Sequence, residues 1–139
     1  MQPSFEERSV WVQLFSVILV LGGYLVASAR LMRAGITEIA PFVPLFSVAV
    51  VLLVVLLGVG HAVAAAMGKP EKTDERDRLI GWRAESSTSW LLATGVVGAI
   101  AAILLRGEPV WVAHILLASL FVSEVAKLVV QLVLYRRGV

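Results

Sequence analysis

Four ionisable side chains sit within otherwise apolar stretches of the chain: His61, His114, Glu124 and Lys127. A charge at membrane depth is expensive, so each of these residues needs a partner or a task. Glu124 and Lys127 are three apart and share one face of a helix, where they can neutralise each other while the Lys127 ammonium reaches toward the headgroups. The chemical alternative makes Glu124 a protonatable or cation-binding carboxylate facing the interior of a bundle. With Pro41 and Pro109 as outer helix ends, His61, Glu124 and Lys127 fall within ~8 Å of one another along the membrane normal. Gln131 lies one turn below Lys127, and Gln13 enters from the same side on an earlier helix. The expectation is an intramembrane polar cluster of His61, Glu124, Lys127, Gln131 and Gln13 able to hold an ion or ligand.

Two membrane histidines also suggest haem. His114 is five residues from its outer end, however, and an offset of fifteen residues, ~22 Å, keeps the two imidazoles from sharing one iron within a single chain. A haem on His61 or His114 would need a ligand from a second subunit or another axial group, so no cofactor is expected. Beside Trp111, His114 reads as a satisfied interfacial residue. The sequence contains no phosphate-binding glycine loop, no His-Glu-x-x-His motif and no serine with a base at matching depth, so no catalytic residue or metal ligand is assigned. The lack of cysteine excludes disulfides and thiolate chemistry.

The elements that must position these residues follow from composition. With 59% hydrophobic and 16% charged residues and a mean hydropathy of +0.90, the chain is solvated by lipid. It is expected to be an all-α polytopic membrane protein, a four-transmembrane-helix bundle of two hairpins forming a single domain over residues 1–139. The spans are placed at about 10–29, 41–67, 90–105 and 109–135. The second and fourth are overlong, ~40 Å against a hydrocarbon core of ~30 Å. The first is expected to be a retained helix, because Glu6, Glu7 and Arg8 precede a run long enough to span. Arg8, Lys69, Lys72, Arg76, Arg78, Arg83, Arg136 and Arg137 fall on one side, and Arg30, Arg33 and Arg106 on the other. That imbalance places both termini and the middle loop in the cytoplasm. Each outer turn reads arginine, glycine, glutamate, proline, as Arg33, Gly35, Glu38 and Pro41 and again as Arg106, Gly107, Glu108 and Pro109. The order suggests a parallel repeat, though glycine and proline are also simply what turns are made of.

The middle loop, about 68–89, carries the longest polar stretch. Thr73 can cap a helix, Asp74 and Glu75 suit its first turn, and Asp74 and Arg78 are spaced for an ion pair. A helix starting near Asp74 should run through the third span to about Leu105, crossing Gly81 at a cost of ~1 kcal/mol. It would extend into the cytoplasm as a charged stalk, or bend at Gly81 and lie on the surface. Asp74, Glu75, Arg76, Asp77, Arg78, Leu79 and Ile80, followed by Arg83 and a span, resemble the middle loop of uncharacterised small four-span prokaryotic membrane proteins, whose genes often lie beside helix-turn-helix regulators. The resemblance implies a partner-binding or regulatory role for Asp74, Glu75, Arg76, Asp77, Arg78 and Arg83.

The leading expectation is therefore a non-catalytic protein of the prokaryotic cytoplasmic (inner) membrane whose charged loop binds a protein partner or transmits a signal. The alternative is a small oligomeric ion-coupled transporter or channel using Glu124 with His61 or Lys127. A haem-binding or other intramembrane enzyme is third. The expected partners are the lipid bilayer, a cytoplasmic protein and further copies of the chain, without direct nucleic-acid contact.

Overall fold

The computed structural model describes residues 5–66 and 75–137. These form four long helices: α1 (Phe5–Arg33), α2 (Phe42–Ala66), α3 (Glu75–Leu104) and α4 (Pro109–Arg137). All four are long and apolar enough to cross a bilayer. Large apolar side chains such as Phe15, Val51, Val54, Val97 and Leu104 lie exposed along them. A surface of that kind is stable against lipid rather than water. The molecule is a multi-pass membrane protein with an all-α, four-helix bundle.

Packing is pairwise rather than radial. α1 and α4 form the centre, where Val10, Leu14 and Val17 bury against Leu128 and Leu132. α2 lies on α1, with Ala49 joining Val20 and Tyr24. α3 lies on α4 and buries only a narrow stripe, Ile80, Ala84, Thr88 and Ala99, at spacings that keep one face toward its neighbour. Two glycines permit the closest approaches. A Cβ on Gly60 would stand 2.3 Å from Val12 Cγ1, and one on Gly95 would stand 2.0 Å from Ser119 Cβ. Gly95 and Ala99 thus serve contacts within the chain.

Both turns close α1 and α3 with the same backbone motif. Gly35 N–H donates to Met32 O and Ile36 N–H to Leu31 O; Arg106 N–H donates to Ile103 O and Gly107 N–H to Ala102 O. The left-handed position is Gly35 (φ 85°) in one turn and Arg106 (φ 58°) in the other. The repeated order of residue types therefore does not map glycine onto glycine. Gly107 is instead required for proximity, since a Cβ there would lie 2.9 Å from Ala102 O.

Two features depart from the sequence reading. α3 neither stands free nor bends at Gly81, because its first turns pack along α4: Asp77 hydrogen-bonds Tyr135, Gly81 faces Gln131 and Glu85 approaches Lys127. In addition, α1 contains a π-helical stretch over Ile18–Gly22, with Phe121 of α4 seated against Gly22. The expected cap at Thr73 and the pair made by Asp74 fall outside the described residues.

Candidate functional site

The polar residues of the bundle gather in three places. The first is on the α3–α4 pair. Lys127 Nζ lies 2.6 Å from Glu124 Oε2 and 3.9 Å from Glu85 Oε2, with Glu85 well exposed. Gln131 and Tyr135 continue the same stripe of α4 at four-residue intervals opposite Gly81 and Asp77. From Glu85 to the end of α3 at Leu104 is nineteen residues, or ~28 Å, close to the ~30 Å thickness of a hydrocarbon core. The Glu85–Lys127–Glu124 group therefore lies about one hydrocarbon-core thickness from the turn that joins α3 to α4.

The second place joins α1 to α2. His61 Nδ1 lies 2.6 Å from Leu57 O, so this nitrogen carries the ring proton and donates it to the carbonyl one turn back. Nε2 is left as acceptor and takes the Ser9 hydroxyl at 2.9 Å, with the Gln13 amide donating to Ser9 Oγ at 3.4 Å and to Nε2 at 3.5 Å. A serine hydrogen-bonded to histidine has the makings of a nucleophile and its base. Ser9 is the serine with a base at matching depth that the sequence reading did not find. Ser9 is buried little more than one turn into α1, with its hydroxyl on His61 and accepting from Gln13. The arrangement is a satisfied interhelical clamp.

These two groups do not merge into one cluster. Phe42 meets His114 with ring centroids 5.0 Å apart, which fixes the relative level of α2 and α4. From there His61 is nineteen residues down and Glu124 ten, a separation of ~14 Å along the normal; Lys127 is ~9 Å away. The cluster expected from Pro41 and Pro109 divides because the two prolines are not level, and because α2 packs on α1 while Glu124 and Lys127 serve α3. His61 and Gln13 come together; Glu124 and Lys127 come together; Gln131 joins neither by a hydrogen bond.

The third place is new. Tyr24 Oη lies 3.1 Å from His114 Nε2, and His114 Nδ1 lies 2.7 Å from Val110 O. The hydroxyl therefore donates to the ring, whose own N–H is held by the carbonyl. Both side chains are buried, Tyr24 at 5% and His114 at 8% exposure. Their rings are parallel with centroids 5.7 Å apart, while Phe42 meets His114, and Phe46 meets Tyr24, edge to face. An apolar groove of about 380 Å³ opens against this pair where α1, α2 and α4 meet near the turns. His114, five residues into α4, is thus buried and hydrogen-bonded at both ring nitrogens. Tyr24 gave no signal in an apolar run. Each imidazole is engaged at both nitrogens, and their partners Ser9 and Tyr24 lie fifteen residues apart on α1, ~22 Å, so each ring would have to surrender a bond to ligate iron.

No family model, curated protein or solved structure matches the chain.

Proposed function

We propose that the protein is a non-catalytic membrane component whose charged end docks a protein partner or passes a signal to one. The observation that carries this reading is the continuity of α3. One helix runs from Glu75 to Leu104, buries Ile80, Ala84 and Thr88 on α4, and keeps Arg78, Leu79, Trp82 and Arg83 exposed on its outer side. A partner held on that side would be coupled rigidly to the membrane spans through Asp77, Gln131 and Lys127. The excess of arginine and lysine at this end supports a cytoplasmic location for it and for both termini, in a prokaryotic inner membrane. The resemblance of the segment from Asp74 to Ile80 to the loop of small four-span membrane proteins points the same way. The lipid-facing sides of α2 and α3 leave room for further copies of the chain.

The transporter reading has less support, since the Glu124 carboxylate is neutralised by Lys127. Because Asp77 is bonded within the bundle, the informative substitutions are on the outer face. A photo-crosslinking residue at position 82, in the intact protein in cells, should give a discrete protein adduct that disappears with Arg78→Glu and Arg83→Glu. An adduct unaffected by those changes, or lipid adducts alone, would count against a docking role.

A further inference from the structure

The Tyr24–His114 pair is costly where it stands. It lies about one and a half turns from the start of α4, ~8 Å inside the turn end, and two phenylalanines would fill the same space without burying polar atoms. Its hydrogen bonding is also incomplete in one defined respect. Nδ1–H is committed to Val110 O, Nε2 accepts from Tyr24, and the Tyr24 oxygen keeps acceptor capacity. The groove beside it is walled by Phe42 and Phe46 and by the aliphatic Ile39 and Leu117, and its volume lies within the range of small-molecule sites. Val43, Phe46 and Leu116 at its rim are exposed on lipid-facing surface, so entry is sideways from the bilayer.

We propose that this groove binds, from the lipid phase, a hydroxyaromatic ring: a phenol or hydroquinone head on an apolar body. Three features select that chemistry. The edge-to-face rings of Phe42 and Phe46 favour an aromatic guest. Tyr24 lines the groove and its oxygen has an unused lone pair, so a guest that donates a hydrogen bond gains an interaction that a purely apolar guest lacks. The remaining walls are apolar, which suits a ring with few other polar atoms. An acyl chain would leave the acceptor unused. A quinone, which only accepts, would have to break the Tyr24–His114 bond before it could be recognised. The inference concerns the opposite end of the bundle from the proposed docking face, and either can hold without the other.

The test uses the full chain in lipid nanodiscs, titrated with 4-octylphenol and with its methyl ether, 4-octylanisole, which has the same shape without the donor. The phenol is expected to bind saturably, one per chain, and the ether about tenfold more weakly, the size of one hydrogen bond. Tyr24→Phe together with His114→Phe, which removes both acceptors that line the groove, should bring the phenol down to the level of the ether while leaving ether binding intact, showing that the groove is still formed. Phe46→Trp, a change on the open wall, should fill the groove and remove both. Non-saturable uptake equal to that of empty nanodiscs, equal binding of the two probes, or binding unaltered by Phe46→Trp would each overturn the proposal; the last two remain decisive if the double variant fails to fold.

Discussion

Both histidines are held alike, with Nδ1 against the carbonyl one turn back, which selects Nδ1–H as donor, and a hydroxyl on Nε2. Removing the hydroxyl tests whether the clamp is structural. Ser9→Ala leaves His61 Nε2 with only the Gln13 amide at 3.5 Å, and should destabilise the protein by ~1 kcal/mol in mixed-micelle unfolding. A serine-reactive fluorophosphonate should not label the parent protein; labelling that vanished in Ser9→Ala would make Ser9 a nucleophile. Residue spacing alone shows that Glu124 and Lys127 share a face. It does not show Ser9 opposite His61 or Tyr24 opposite His114, because those are relations between helices, and an apolar run tens of residues long carries no mark of which face meets which neighbour.

At the level of elements, the four helices and the unbroken passage through Gly81 are legible as hydropathy and helix-start signals. The register of α3 on α4 is not. It is set by a polar ladder at the charged end and by a backbone approach at Gly95 deeper in. Asp77 with Tyr135, Gly81 with Gln131 and Glu85 with Lys127 follow one another at four-residue steps on both helices. Because Ser119 occupies the space a side chain at 95 would need, Gly95→Val should destabilise the hairpin by roughly 1–3 kcal/mol. Ser119→Gly in the same chain should restore part of the loss. Additive losses in the double variant would mean that the two helices do not meet there.

For the whole molecule, the order α2, α1, α4, α3 makes the two outer helices lipid-facing along most of their length and leaves the polar contacts between neighbours rather than around a shared axis. The absence of cysteine makes its placement directly measurable. Single cysteines at position 75 or 137 should react with a membrane-impermeant maleimide only in inverted vesicles, and one at position 107 only in intact cells; the reverse pattern would invert the topology. The central helix must satisfy both sides of this array, and the π stretch at Ile18–Gly22 has a consequence for how it does so. Such a stretch holds one more residue than the α-helical turn it replaces, advancing everything after it by about 100° relative to everything before. α1 is therefore indexed like a shaft with two keyways cut out of phase, one seating Ser9 and Gln13 on His61, the other seating Tyr24 on His114. Deleting a single residue such as Leu19 would straighten the shaft, and one keyway or the other would then miss its key.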